Sequence, residues 1–174
     1  MTITSAPLAG LAGVADPTTA TVEVDDLDVA LLRALSVDAR QSQRALARAV
    51  GMSPPAVADR LGRLERAGVI RGYRADVDPA ALGFTLTAII NVLTRPDTFP
   101  QVIELAQRLP EVVECHRATG HGCFVLKVHA TSIGHLESVL DQIMPLGEPT
   151  TSVVLSSPVD AKPISPPSQP TASD

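Results

Sequence analysis

Apolar residues in the N-terminal half of the chain recur at intervals of three and four, which predicts three short helices. They cover residues 25–39, 43–50 and 54–67. Gly51 can supply the positive backbone φ that ends the second helix. Ser53 can cap the third helix, and Pro54 suits its first turn, where no hydrogen-bond donor is lost. A tight turn therefore joins the last two helices, which predicts a helix-turn-helix.

Beyond Gly83 the pattern changes, because strand-like alternation takes over and is interrupted by two helical segments. Strands are predicted over residues 84–93, 112–118, 123–130 and 150–156, and helices over residues 99–109 and 133–144. The order β-α-β-β-α-β is that of the split βαβ unit, a four-stranded antiparallel sheet with both helices on one face. The other face of the sheet needs a cover, and a second subunit would provide it.

These patterns divide the chain into five parts. Residues 1–22 have almost no large side chains and are predicted to be a disordered arm. A winged helix-turn-helix over residues 23–74 is followed by a connector over residues 75–83. A ferredoxin-like βαββαβ domain covers residues 84–157, and the Pro-rich residues 158–174 are predicted to be a disordered tail. The predicted fold class is therefore α+β.

Charge distinguishes the helix-turn-helix from an ordinary helical hairpin. The whole chain has a formal net charge of -5, but residues 40–74 carry eight arginines against two acids, a local net charge of +6. A local reversal of sign favours binding to phosphate, because cations displace the counterions that condense on nucleic acid. One Tyr and three Phe are too few for the stacking platforms of single-strand and RNA binders. The predicted partner is double-stranded DNA.

The third predicted helix should enter the major groove, as the second helix of such a motif does. At 100° per residue its outward residues include no large apolar group; they are Pro55, Asp59, Gly62 and Arg66, with Arg63 beside them. Arg60 flanks the inward face and is predicted to pair with a carboxylate such as Asp28. Gly62 has two equal explanations, close approach to DNA and simple tolerance at an exposed site.

Residues 69–77 are predicted to form a short hairpin or wing, from which two arginines could touch phosphate. The full set of predicted DNA contacts is Arg40, Gln43, Arg44, Ser53, Pro54, Pro55, Asp59, Arg63, Arg66, Arg71 and Arg74.

Residues 1–22 contain no Lys or Arg, and no later apolar run reaches membrane-spanning length, so a cytoplasmic protein without membrane contact is expected. The two cysteines are expected to be buried thiols rather than a disulfide. A zinc site is the alternative for the Cys and His residues of one predicted hairpin, which are Cys115, His116, His121, Cys123 and His129. Adjacent Cys115 and His116 would point to opposite faces of a strand, which opposes a shared ion.

Several short motifs occur together in one known family. They are Gly51-Met52-Ser53-Pro54, Gly68-Val69-Ile70, Asp78-Pro79, Leu82-Gly83, Pro110-Glu111-Val112 and Thr119-Gly120. Through these motifs residues 24–158 resemble the leucine-responsive and asparagine-synthase regulators of bacteria and archaea, the Lrp/AsnC or feast/famine family. The resemblance implies a DNA-binding transcriptional regulator of amino-acid-related metabolism. It also implies a ligand-sensing domain that forms a homodimer, which assembles further into a tetramer or octamer.

The resemblance further implies a small amino-acid effector bound between dimers. Family members usually have Gly-Asp-Tyr-Asp where this chain has Gly120-His121-Gly122-Cys123, without two acids and a ring. Backbone amides of the two glycines would suit a carboxylate, whereas the ammonium would have few partners, so modest affinity and a preference for apolar or aromatic over basic side chains are predicted. His121 either replaces an acceptor or lies in solvent. The predicted effector-binding residues are Thr119, Gly120, His121, Gly122, Cys123, Thr150 and Thr151.

Two other classes of function fit parts of the sequence. An effector-free architectural protein would wrap DNA through repeated dimers, with weak sequence preference. A regulatory subunit of a metabolic enzyme would use the C-terminal half alone, which the +6 region opposes. Catalytic residues at a specified spacing are lacking, so neither enzymatic activity nor a metal or other cofactor is predicted.

Overall fold

The computed structural model describes residues 23–119, 123–160 and 162–164. Two compact units divide the chain between Arg74 and Ala75, with the second unit ending at Asp160. The predicted arm, residues 1–22, lies outside the described residues, as does most of the predicted tail.

The N-terminal unit contains three helices, α1 (Asp26–Val37), α2 (Gln43–Val50) and α3 (Pro54–Arg66). Local chemistry sets their ends. The hydroxyls of Ser42 and Ser53 accept hydrogen bonds from backbone N–H groups in the first turns of α2 and α3. Gly51 has φ +71° and ends α2. The helices enclose a core of Leu31, Leu46, Ala47, Val57 and Leu61, so the predicted helix-turn-helix is confirmed.

Residues 69–77, which were predicted to form a short hairpin or wing, do not form a hairpin of paired strands. This segment is fully described and contains no strand. The backbone N–H groups of Val69 and Ile70 both donate to the carbonyl of Leu64, and Ile70 packs against the helical core. The Tyr73 hydroxyl donates to Glu65 Oε1 over 2.8 Å, a contact to α3 rather than to a neighbouring strand. Val69, Ile70 and Tyr73 therefore lie against the end of α3.

The C-terminal unit has the predicted β-α-β-β-α-β order. Its elements are β1 (Leu86–Leu93), α4 (Phe99–Arg108), β2 (Val112–Arg117), β3 (Phe124–Ala130), α5 (Ile133–Ile143) and β4 (Glu148–Val153). All strand pairs are antiparallel, and the sheet order is β2-β3-β1-β4. The predicted α+β class is confirmed.

Buried and half-buried residues alternate along β1 and β3, so the core lies on one face of this sheet. Ile90 of β1 pairs with Leu126 of β3, and both join a single cluster that also contains buried residues of α4 and α5. The two helices therefore share a face. The opposite face is called the open face below. It carries Ile89 and Lys127, which pair with each other, and the residues that alternate with the buried ones along each strand.

The last strand begins two residues earlier than the predicted Thr150. Glu148 and Pro149 are poor strand residues, but β4 is an edge strand that pairs only with β1, and a proline is tolerated there. The start is also set by Gly147, where a Cβ would lie 2.5 Å from the carbonyl oxygen of Leu93. Only glycine allows this close approach of the two backbones.

Candidate functional site

Most of the predicted DNA contacts are accessible in the N-terminal unit. The exposed ones are Arg40, Gln43, Arg44, Ser53, Pro55, Asp59, Arg66, Arg71 and Arg74, whereas Pro54 is half-buried. Arg48 is also exposed, so six arginines of residues 40–74 present their charge on the surface. The Ser53 hydroxyl is already used as the helix cap, since it accepts from the Ala56 N–H over 3.4 Å.

The predicted outward orientation of Arg63 is wrong. Its Nη2 lies 2.5 Å from Oδ2 of Asp28, and its Nη1 donates to the Glu23 carbonyl over 3.3 Å. Arg63 follows Arg60 by one helical turn on the same flank of α3, so its long side chain reaches the start of α1. The predicted pairing of Arg60 with Asp28 is confirmed, with Nη1 2.9 Å from Oδ1.

Asp28 is the one buried charged residue among those the structure describes. Besides the two guanidinium groups, its carboxylate accepts from the backbone N–H of Asp25 over 3.1 Å. Burial alone would raise the pKa of Asp28, but the hydrogen bonds from Arg63, the Asp25 N–H and Arg60 outweigh it and lower that pKa. A hydrogen bond from the Asp28 N–H, followed by one from Arg60, lowers the pKa of Asp25 as well. Both carboxylates are therefore held ionised.

Gly62 has an intramolecular neighbour that the sequence did not indicate. A Cβ at this position would lie 3.1 Å from Nη1 of Arg66. The guanidinium of Arg66 thus lies over the bare backbone at Gly62, next to the outward face of α3. Because that neighbour is the end of a flexible side chain, either predicted explanation for the glycine is compatible with it.

A shallow cavity of about 460 Å³ opens on the sheet face opposite the helices. Its lining residues are Asn91, Leu93, Ala118, Thr119, Val125, Glu148 and Thr150. The strand register brings them together, since Leu93 pairs with Glu148 and Asn91 with Thr150. A cavity of this volume lies within the range typical of small-molecule sites.

The predicted effector residues are only partly brought together. Thr119 and Thr150 line the cavity, while residues 120–122, which include Gly120, His121 and Gly122, lie outside the described residues. Cys123 and Thr151 do not line this cavity. The Cys123 thiol donates to the Thr94 carbonyl over 3.2 Å. Thr151 pairs with Ile90, so its side chain lies on the sheet face that the helices cover.

Glu148 was missed because the sequence pattern started β4 after it. It supplies a carboxylate to the cavity, whereas few partners were predicted for the ammonium of an effector. Asn91, paired with Thr150, was missed because it lies inside an apolar strand, where only the register shows its neighbours.

A polar group lies further along the open face. Oε1 of Glu114 is 3.2 Å from Lys127 Nζ, and its Oε2 is 3.1 Å from Nε2 of His116. These hydrogen bonds, from His116 first and then Lys127, lower the pKa of Glu114. On the same face His129 Nδ1 is 3.0 Å from the Thr87 hydroxyl, and burial lowers the pKa of His129.

The expectation that both cysteines are buried is wrong for Cys115, which is exposed, whereas Cys123 is partly buried; both are free thiols. In the part of the chain that the structure describes, no three Cys, His, Asp or Glu side chains are grouped as metal ligands. The helices of that part are all too short or too polar to cross a bilayer.

The fold and the accessible arginines define a DNA-binding regulator with a separate ligand-binding unit, and sequence comparison identifies the family. Residues 24–71 match the family described as winged helix-turn-helix DNA-binding, and residues 87–164 match the Lrp/AsnC ligand binding domain. The chain belongs to the Lrp/AsnC family of transcriptional regulators. It is 30% identical to the regulator LrpC of Bacillus subtilis over 81% of this chain and 97% of that protein. It is 33% identical to the regulatory protein AsnC of Escherichia coli over 78% and 93%.

Solved structures agree with this assignment. B. subtilis LrpC superposes with a TM-score of 0.77 at 30% identity, over 81% of this chain and all of that one. A transcriptional regulator of Neisseria meningitidis in complex with L-Met superposes with a TM-score of 0.78 at 26% identity, over 82% and 97%. The feast or famine regulatory protein of Mycobacterium tuberculosis, complexed with L-methionine, gives 0.72 at 31% identity, over 79% and 96%.

Proposed function

We propose that this protein is a sequence-specific regulator of genes of amino-acid metabolism and that it responds to a small amino acid. The observation that carries the proposal is the charge of the N-terminal unit. Six exposed arginines surround α2 and α3, whereas the whole chain has a net charge of -5. Such a local excess suits the phosphates that flank a major groove, and the outward residues of α3 then face the bases.

The effector half of the proposal rests on the cavity of the open face. A free amino acid presents an ammonium, a carboxylate and a side chain. Glu148 can take the ammonium, and the hydroxyls of Thr119 and Thr150 can donate to the carboxylate. Leu93 and Val125 offer an apolar surface to the side chain. Two relatives of the same fold are complexes with L-methionine, which fits an effector of this size.

The assembly half of the proposal is a homodimer that forms tetramers or octamers. The open face is a sheet surface with half-buried apolar side chains such as Ile89 and Val125, and a second copy of the chain is the proposed cover. A dimer also presents two copies of α3, which two-fold proteins use to read half-sites about one helical turn, ~34 Å, apart.

A competition experiment tests the central part of the proposal. A duplex is selected from a random pool with the full-length protein, and a fluorescent copy is displaced by unlabelled selected or scrambled duplex. A sequence-specific regulator should prefer the selected duplex by about a thousandfold. Equal competition by both duplexes would contradict sequence-specific regulation and favour an architectural role.

A further inference from the structure

The carboxylate of Asp28 connects the start of α1 to the third helix. Its side chain is fully buried and lies within hydrogen-bonding distance of Arg60, one helical turn before Arg63, and of Arg63 itself. The Arg60 guanidinium also reaches Asp25 Oδ2 at 2.6 Å. Two cations of α3 are thus bonded to Asp28 of α1 and to the N-cap residue Asp25, which are themselves joined by a capping box.

This arrangement restrains α3 in a way that its apolar face cannot. Val57, Leu61 and Leu64 are buried and hold the helix against the core, but apolar contacts have no direction and tolerate small rotations. Charge-assisted hydrogen bonds are directional. Because Arg60 and Arg63 are one turn apart, their bonds to one carboxylate oppose rotation of α3 about its own axis.

We propose that Asp28 is a positioning residue for DNA reading: through Arg63 and Arg60 it sets the rotation of α3 and thus the direction of the side chains that face the bases. The inference rests on the proposed function of α3 as the reading helix. It assigns Arg63 a role inside the protein, whereas the exposed Arg66 on the next turn remains available to phosphate.

The sign of the charge makes this role testable. Removing a negative charge from the DNA-binding unit strengthens binding to every duplex if only electrostatics changes. Loss of positioning weakens binding to the selected duplex alone, because misdirected side chains lose their base contacts and keep the phosphate contacts. Asp28→Asn should therefore weaken specific binding although it removes an anion.

The experiment compares Asp28→Asn with Asp26→Asn in the full-length protein. Asp26 is an exposed acid in the same first turn of α1, so its replacement removes the same charge without the buried contacts. Binding to the selected and scrambled duplexes is measured by fluorescence anisotropy, well below the unfolding midpoint of each variant. We expect Asp28→Asn to reduce the preference for the selected duplex about tenfold, and Asp26→Asn to leave that preference unchanged.

A second set of variants keeps the proposal testable if Asp28→Asn folds poorly. Arg63→Ala should lower the preference without changing the slope of log affinity against log salt, whereas Arg66→Ala should reduce that slope by about one. Arg63→Lys, which keeps a donor for Asp28, should recover part of the preference. The double variant Asp28→Asn with Arg63→Ala should be no worse than the poorer single variant, because the two residues act as one unit.

Three results would overturn the inference. They are equal preference in Asp28→Asn and Asp26→Asn, a slope reduced by one in Arg63→Ala, and strictly additive losses in the double variant. Failure of the proposed function is separate, because the wild-type protein would then show no preference between the selected and scrambled duplexes.

Discussion

Arg63 Nη2 lies 2.5 Å from Oδ2 of Asp28, a carboxylate that is fully buried while the arginine side chain is 40% exposed. The pair links residues 35 positions apart in the chain and connects the first helix of the DNA-binding unit to the third. An isolated buried carboxylate would cost several kcal/mol, so Asp28 needs its hydrogen-bond partners on α3 to stay buried.

The first prediction is that the N-terminal unit loses stability in acid through Asp28. Its pKa is lowered in the folded state, so the unfolded state binds more protons near pH 4. The stabilisation is complete above the unfolded pKa of about 4 and is lost as the pH falls through the lower folded value. Thermal unfolding of the wild-type protein between pH 7 and pH 2 measures this loss.

Asp28→Ala removes the carboxylate and should reduce the free energy of unfolding at pH 7 by about 3 kcal/mol. It should also flatten the acid dependence, although the lowered pKa of Asp25 leaves part of it. Asp26→Ala is the control and should cost about 0.5 kcal/mol through the helix dipole. An acid dependence that Asp28→Ala leaves unchanged would mean that other carboxylates cause it.

The second prediction concerns Arg44, which is exposed in the first turn of α2. As a phosphate contact, it should weaken binding to all sequences alike when replaced by Ala, and the salt slope should fall by about one. Arg33 of α1 is exposed but precedes the arginine-rich segment, so Arg33→Ala is the matched control. Equal slopes for the two variants in anisotropy titrations at several salt concentrations would remove Arg44 from the interface.

The helix-turn-helix could be predicted because its signals are local. Ser42, Gly51 and Ser53 fix the ends of α2 and α3 through bonds to their own neighbours. Arg63 shows the limit of this reasoning. Helical geometry places its Cα on the flank of α3, but a long flexible side chain takes the direction of its partner, and Asp28 belongs to another helix.

The candidate effector site was less predictable for a similar reason. Strand propensity excluded Glu148 and Pro149, yet an edge strand and a close backbone approach at Gly147 extend β4 to include them. Pairing register then decides which threonine faces the cavity, and a shift of one residue exchanges Thr150 for Thr151. Strand register depends on contacts between segments that are distant in the chain. The periodicity of a single segment therefore cannot predict it.

The third prediction is that the open face joins two copies of the chain. Ile89→Glu places a charge on that face and should weaken self-association at least about tenfold, because the new carboxylate would lose water between the subunits. Its cross-strand neighbour Lys127 is already bonded to Glu114 and compensates little of this loss. Ile103→Glu is the control, since Ile103 is 42% exposed on α4. Sedimentation velocity across micromolar concentrations measures the assembly. A wild-type monomer, or equal assembly of both variants, would exclude this face as the interface.

The fourth prediction concerns the ammonium of the effector. Glu148→Gln removes the carboxylate from the cavity and should weaken amino-acid binding about tenfold, while Glu137→Gln, an exposed change on α5, should have no effect. Calorimetry with the twenty amino acids should show tighter binding for apolar or aromatic side chains than for Lys and Arg, because Glu148 alone cannot pair with two cations. Tight binding of Lys or Arg, or unchanged binding by Glu148→Gln, would place the site elsewhere.

Footprinting of the full-length protein on the DNA upstream of its own gene tests sequence-specific regulation and its response to an amino acid in one measurement. We expect protection at discrete sites repeated at about one helical turn, ~10 base pairs, with a pattern that changes when the tightest-binding amino acid from calorimetry is added. Uniform protection along the fragment, unaltered by any of the twenty amino acids, would contradict it.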